Sequence, residues 1–429
     1  MVLCEPGSCF KLKGGEVDER LKKVIYVNED GNLVIPKELS RHYGLEPGVE
    51  LVFEQNANTI LLQRPITHLA RIDIEPTNNC NLTCSTCIRN VWDAPTGWMK
   101  EKTYRQILAG VKSCDPIPTI FFGGYGEPLS HPGIIGMIQE AKALGARVEL
   151  ITNGTLLNEE CIHTLIDVGL DFLWVSIDGA SSAGYADVRL EDALSTVKGN
   201  IENLHRQRLF RGSQLPQLGL SFVAMKKNIE ELTDIVTLGI HNDARKLSVS
   251  NVLPHTEALK NEMLYERSGC GWRGAYYELQ FPRFDISDSL HGVLRDLIFW
   301  FGWNGISGNE RERRRDRCPF VARGSMHVRW DGNVSPCQPL MYSHVHYLGD
   351  RKRENSAYTV GSVNDRSIQQ IWRGKEYMSL RERLSIFDFS PCTECNSCEQ
   401  ADTNKDDCFG NDLPACGGCL WAQGFVRCP

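Results

Sequence analysis

Cys80-Asn81-Leu82-Thr83-Cys84-Ser85-Thr86-Cys87 is the stretch that decides how this chain is read. Three cysteines in so short a loop can aim three thiolates at one small object. The loop follows directly on an extended run, Ala70-Arg71-Ile72-Asp73-Ile74-Glu75. Thiolates are soft ligands that favour iron–sulfur or zinc over hard cations. Zinc calls for a fourth Cys or His close by, and none follows. A cubane [4Fe–4S] cluster on three thiolates keeps one iron without a protein ligand, and that iron can take a small molecule.

Working outward, residues 68–254 alternate short apolar runs with amphipathic stretches. Strands are expected at 70–75, 119–122, 147–152, 172–177, 219–224 and 246–250, with helices at 132–144, 159–168 and 193–206 between them. Strands alternating with helices imply parallel βαβ units, whose ligands sit at the carboxyl ends of the strands. Polar groups cluster at those ends. Phe122-Gly123-Gly124-Tyr125-Gly126-Glu127 closes the second strand, Thr152-Asn153-Gly154 the third, and Ser176-Ile177-Asp178-Gly179 the fourth, leading on to Tyr185 and Arg189. Glycine lets a backbone approach a ligand closely, and the glutamate can accept from an ammonium group. Asn228 and Glu231, after the fifth strand, are further candidates, although an N-cap and a solvated helix residue would look the same.

The spacing of Cys80, Cys84 and Cys87 after a first strand resembles the radical S-adenosylmethionine (SAM) family. The resemblance implies an α/β fold with a partial (β/α)6 barrel. It implies that Cys80, Cys84 and Cys87 hold a catalytic [4Fe–4S] cluster whose open iron binds SAM. The Gly124-Tyr125-Gly126-Glu127 segment looks like the family's Gly-Gly-Glu motif for the SAM amine, with Tyr125 in place of a glycine. By the same resemblance Gly124, Gly126, Glu127, Asn153, Ser176, Asp178 and Arg189 are cofactor-binding candidates. It further implies reductive cleavage of SAM to a 5′-deoxyadenosyl radical, with ferredoxin or flavodoxin as reductant.

The chain has 17 cysteines among 429 residues, and they are clustered. Cys4, Cys9, Cys114 and Cys161 lie outside the clusters, and Cys161 falls in an apolar-periodic helix. The start has no signal-peptide pattern and no apolar run approaches a membrane span, so a cytoplasmic protein with reduced thiols is expected. Clustered cysteines there read as metal ligands before disulfides. Cys318 is followed by Gly332 and, after four residues, Cys337; Cys392, Cys395, Cys398, Cys408, Cys416, Cys419 and Cys428 come later. This resembles the SPASM extension of radical SAM enzymes, implying two auxiliary [4Fe–4S] clusters. The nine cysteines exceed the eight needed, their second half departs from the common spacing, and zinc at the Cys-x2-Cys pairs is the alternative. Whether Cys270 is a ligand stays open.

At the start, residues 24–63 read as short strands, a helix over 37–43 and a hairpin across Asn56-Ala57-Asn58. They resemble the AbrB/MazE-like swapped-hairpin fold, which implies a homodimer. Acidic residues match its basic ones and the whole chain carries −7. Phosphate contacts would be weak, which makes nucleic acid an unfavourable partner and a protein-docking or dimerising module the better reading, with a relic domain that only packs as the alternative. The expected domains are residues 1–66, 67–285 and 286–429. Residues 255–317 are aromatic, with Trp272, Tyr276, Tyr277, Trp300 and Trp303, and end in an arginine-rich run.

The AbrB-like start and the cysteine-rich ending together resemble the tungsten cofactor oxidoreductase radical SAM maturases. That implies an enzyme acting on a protein or peptide, with a tungsten-dependent aldehyde ferredoxin oxidoreductase as partner. Two alternatives stand beside it: action on a small molecule or cofactor precursor, and a cluster-sensing DNA-binding regulator. Strand-end SAM motifs speak against the regulator, which needs no SAM site.

Overall fold

The computed structural model describes residues 26–51, 53–56, 59–181, 188, 193–265, 279–280, 292–293, 316–393 and 398–429. Tyr185, Arg189, Cys4, Cys9, Cys270, Cys395, the aromatic residues of 272–303 and the arginines of 311–315 lie outside them.

Two antiparallel pairs form first: β1 (Tyr26–Val27) with β2 (Leu33–Val34), and β3 (Phe53–Asn56) with β4 (Thr59–Leu62), with α1 (Lys37–Tyr43) between them. Gly44 ends α1 in the left-handed region at φ 68°. Its missing side chain admits the His68 ring, which a Cβ would meet at 2.3 Å.

The six expected strands follow: β5 (Arg71–Ile74), β6 (Thr119–Phe122), β7 (Val148–Thr152), β8 (Phe172–Ser176), β9 (Gln217–Ala224) and β10 (Ala244–Asn251). They lie parallel and in sequence order, linked by α2 (Glu101–Lys112), α3 (Ile134–Ala143), α4 (Glu159–Asp167) and the helices Ala193–Arg211 and Leu232–His241. Helices pack against the sheet, so β8 reads as an almost unbroken apolar run. On β5 Ile72 and Ile74 are buried in the shared hydrophobic core, while Arg71, Asp73 and Glu75 alternate onto the other face. There Arg71 pairs with Asp73 at 2.7 Å and Glu149 at 3.1 Å, and His327 reaches Asp73 at 3.2 Å.

The sheet does not stop at six strands. β11 (Leu279–Gln280) adds in parallel to β10. At the opposite edge β12 (Ser325–Val328) runs parallel to β5, and β13 (Asn333–Ser335) and β16 (Gly361–Ser362) continue antiparallel, making ten strands. β12 and β13 form a hairpin across Asp331-Gly332, with Gly332 at φ 89°. Its first strand is laid along the strand that leads to the Cys80 loop. β14 (His344–Leu348) and β15 (Arg351–Asn355) make a separate hairpin. No described helix is long and apolar enough to cross a membrane.

Candidate active site

The loop after β5 carries Cys80, Cys84 and Cys87, all half-buried and none in a disulfide. It is held close to the loop after β6. Glu127 N donates to the Asn79 carbonyl at 2.8 Å. A Cβ at Gly126 would stand 2.1 Å from the Thr77 carbonyl oxygen and 2.5 Å from that of Asn79. Only glycine permits this approach, so Gly126 couples the cysteine loop to the glutamate loop. Gly124, at φ 102°, backs onto the Glu75 side chain in the same way.

Glu127 is buried at 1% exposure and already well supplied. Oε1 accepts from Leu129 N at 2.9 Å and from the Thr152 hydroxyl at 2.8 Å; Oε2 accepts from Asn153 N at 2.7 Å. Its carboxylate therefore ties the β6 loop to the end of β7. Asn153 extends the chain of contacts: its Nδ2 donates to Asn81 Oδ1 at 2.9 Å and reaches Cys80 Sγ at 3.7 Å. Burial pushes the Cys80 thiol up. Arg89, two residues beyond Cys87 and not singled out from sequence, donates from Nε to Cys87 Sγ at 3.2 Å and from Nη2 to the Leu82 carbonyl at 2.8 Å.

These groups line a cavity of about 290 Å³. Cys80, Cys84, Cys87, Gly124, Gly126, Glu127, Asn153, Ser176 and Asp178 all face it. Asp178 also accepts from Val223 N at 3.0 Å, stitching β8 to β9. Asn228 and Glu231 do not line it. Asn228 is wholly buried and bonds Met225 N and the carbonyls of Asp178 and Val223; Glu231 accepts from Ala180 N. Both tie loops together, Asn228 without a side-chain cap bond and Glu231 half-buried rather than solvated, so neither expected role is met. Sequence reasoning missed the far wall, which comes from the C-terminal part: Gln338, Trp421, Val426, Arg427 and Cys428, with Ser250 and Asn251 of β10.

Beneath lies a smaller cavity of about 140 Å³ lined by Arg71, Asp73, Glu75 and His327. Burial pushes Glu75 up to about 7, against hydrogen bonds from the Tyr342 hydroxyl and Tyr125 N–H. Tyr125, the residue standing where a glycine was expected, donates its hydroxyl to the Gln338 carbonyl at 3.1 Å and stacks edge-on with Trp92.

The C-terminal cysteines separate. Cys318, Cys337, Cys416 and Cys419 act on one another electrostatically and share one apolar cluster. Burial pushes Cys318 up to about 12 and raises Cys337 and Cys416 well above the usual thiol range. Four neighbouring thiols, two buried and two half-buried, cannot all ionise unaided, whereas soft cations that bind thiolate supply the missing charge, so this donor set fits an iron–sulfur cluster. Among the described residues no three His, Cys, Asp or Glu side chains converge as they would on a single metal ion. The Cys416–Cys419 loop is packed tightly, since a Cβ at Gly417 would meet the Ser390 carbonyl oxygen at 1.7 Å. Cys392 is buried beside Ser390, Cys398 half-buried and Cys408 exposed. Cys428, half-buried and packed against the same apolar cluster, also lines both barrel cavities, and Trp421 Nε1 lies 3.2 Å from its sulfur.

Comparison with known proteins agrees with this geometry. Residues 74–236 match the model of the radical SAM superfamily, and residues 318–399 match SPASM, an iron–sulfur cluster-binding domain. The chain is 28% identical to the tungsten-containing aldehyde ferredoxin oxidoreductase cofactor-modifying protein of Pyrococcus furiosus, over 83% of this chain and 96% of the relative. It is 29% identical to the PqqA peptide cyclase of Bradyrhizobium diazoefficiens over 44% of this chain and 48% of that one. Streptococcus suis SuiB bound to S-adenosylmethionine has a similar fold, with a TM-score of 0.52 at 16% identity, covering 78% of this chain and 72% of SuiB. Native anSMEcpe with bound AdoMet and Cp18Cys peptide gives 0.51 at 16% identity, covering 83% and 95%. The cysteine loop, the glycine-locked glutamate loop and the four-thiol set are thus found in a chain that belongs to the radical SAM superfamily and carries a SPASM domain.

Proposed function

We propose that this enzyme is a maturase acting on a protein or peptide, and that its partner is a tungsten-dependent aldehyde ferredoxin oxidoreductase-type protein. The observation that carries the reading is the near end-to-end relation to the Pyrococcus furiosus tungsten cofactor-modifying protein. Similarity to the PqqA peptide cyclases supports a peptide or protein substrate.

In this reading Cys80, Cys84 and Cys87 hold the catalytic cluster. Gly124, Gly126, Glu127, Asn153, Ser176 and Asp178 hold SAM in the cavity they line. When bound and reduced by ferredoxin or flavodoxin, cluster and SAM together supply a hydrogen-abstracting radical. The chain's own tasks are positional. Glu127 offers a buried carboxylate to the SAM ammonium group. Gly126 sets the distance between that carboxylate and the cysteine loop. Trp421 and Val426 close the far wall and exclude water. Cys318, Cys337, Cys416 and Cys419 form one auxiliary ligand set, and Cys392, Cys395, Cys398 and Cys408 the other. Cys428 belongs to neither. The N-terminal module serves docking and dimerisation.

The test is anaerobic. Reconstituted protein with SAM and dithionite should release 5′-deoxyadenosine, and the Cys80/Cys84/Cys87→Ala protein should release none while keeping iron at its C-terminal cysteines. Adding the tungsten oxidoreductase apoprotein should change that partner's mass. The relative's name speaks of cofactor modification, which favours a second reading: a cofactor precursor as substrate. A modified small molecule with an unmodified polypeptide would select it.

A further inference from the structure

The four thiols Cys318, Cys337, Cys416 and Cys419 are not alone in their pocket. Cys337, Cys416 and Cys419 line a small cavity of about 30 Å³ together with His344 and His346 of β14 and Arg353 of β15. The strand alternates, so His344 and His346 both turn inward, at 5% and 3% exposure. The nitrogen donors around the cavity can be accounted for one by one. Arg353 donates to the carbonyls of Ala401 and Ala415. Asn355 donates to Pro339 O, Asn404 to Ser356 O, and Trp421 to Cys428 Sγ. His344 Nδ1 lies 3.0 Å from the Tyr342 carbonyl. A carbonyl only accepts, so the proton of a neutral His344 is there, and its Nε2 is a lone pair that cannot donate.

His346 is the exception. Neither of its ring nitrogens has a hydrogen-bond partner among the described residues, although the ring is almost wholly buried. Burial, His344 and Arg353 keep it neutral. A neutral imidazole still carries one N–H, and burying a donor without an acceptor is costly. A cluster held by the thiols that line this cavity would bring sulfur acceptors beside the ring.

We propose that His346 donates a hydrogen bond to the auxiliary iron–sulfur cluster held by Cys318, Cys337, Cys416 and Cys419, and that this bond sets the cluster's reduction potential. It rests on the reading of those four cysteines as one ligand set. Reduction adds one electron, and therefore negative charge, to the cluster. A donor aimed at its sulfur stabilises the reduced state more than the oxidised one and raises the potential. His346 is a positioning residue in this scheme: it tunes the cluster and touches no substrate.

The experiment is a dithionite redox titration of the full reconstituted chain, followed by electron paramagnetic resonance, in the Cys80/Cys84/Cys87→Ala background. The signal that vanishes on Cys337→Ala identifies the cluster in question. His346→Leu should leave that signal in place and lower its one-electron reduction constant at least tenfold, a shift of about 59 mV to more negative potential. His346→Gln keeps an N–H and should restore most of the loss. An unchanged potential in His346→Leu overturns the proposal. So does loss of the signal and its iron in both variants, which would make His346 a ligand. Absence of any signal sensitive to Cys337→Ala overturns the ligand set itself, a different result from either.

Discussion

Glu127→Gln tests the centre of the site, because the structure separates two effects of one atom. The carboxylate accepts three protein donors, Leu129 N, the Thr152 hydroxyl and Asn153 N, at 2.7–2.9 Å. A glutamine can keep its oxygen towards Leu129 and Thr152, which turns its amide N–H₂ against Asn153 N–H. One hydrogen bond to a charged acceptor is lost, costing stability about 1.5–3 kcal/mol. The charge that would meet the SAM ammonium group is lost as well, a contact of the same order. At about 1.4 kcal/mol per decade, SAM should bind roughly 10- to 150-fold more weakly. Calorimetric titration of the reconstituted protein measures the affinity, and thermal denaturation measures the stability. Thr152→Val is the control: it removes a donor and leaves the negative charge, so it should lower stability and spare SAM affinity. A glutamine variant that binds SAM within about threefold of the parent, in a range where a charged contact must show, refutes the placement of the ammonium group at Glu127.

Three further outcomes follow from the same geometry. Cys337→Ala should lose one cluster's share of iron, whereas Cys428→Ser should keep the full iron content, since Cys428 faces the barrel cavities; iron analysis after reconstitution decides. Glu75 is buried with its folded pKa raised to about 7 from an ordinary 4.5, so its contribution is present below the unfolded value and is lost as pH rises through the folded one. Stability should fall by about 3 kcal/mol between those limits, at 1.36 kcal/mol per unit, and Glu75→Gln should flatten that alkaline arm in denaturant titrations run from pH 5 to 8. Deleting the chain up to Leu62 should preserve SAM cleavage without partner, measured as 5′-deoxyadenosine. The contacts that anchor the linker, Arg381 Nε to Ile66 O and Trp372 Nε1 to Thr67 O, then stay in place.

Much of the barrel was legible because its signals are local. The strands from β5 to β10 are short apolar or alternating runs between amphipathic stretches, and the polar residues that line the cavity sit at the strand ends where parallel sheets put their ligands. What escaped was non-local. Ser325–Val328 reads as half of a hairpin, and nothing in four residues says that they will pair with β5, more than 250 positions earlier. Spacing could not divide nine cysteines either; it is the place of Cys428 on both barrel cavities, and not its burial, that sets it apart from the set at Cys318. Asn228 and Glu231 failed as site residues for a related reason. A polar side chain at a strand end can face the cavity or fold back on its own loop, and the sequence carries no direction. Arg89 had a signal that passed unused, a cation two positions after a thiol that must ionise.

The added strands give the two thiol sites a common frame. Cys318 directly precedes the helix Pro319–Arg323, which leads into β12, and Cys337 lies just beyond β13. Cys80 is reached from β5, and β5 and β12 are hydrogen-bonded neighbours. Both sites therefore hang from adjacent strands of one sheet. Two side-chain bonds close the frame at the cavity: Tyr125 to the Gln338 carbonyl, next to Cys337, and Tyr342 to Glu75 at the end of β5. Reactive groups carried on rigid elements keep their separation better than groups on free loops. An auxiliary cluster that exchanges electrons with chemistry in the SAM cavity needs such a fixed separation, and a cluster that merely stabilises its own domain does not. The continuous sheet and the Tyr125 and Tyr342 ties are thus an argument for an auxiliary site that takes part in the reaction, and they account for a tyrosine standing where a glycine was expected.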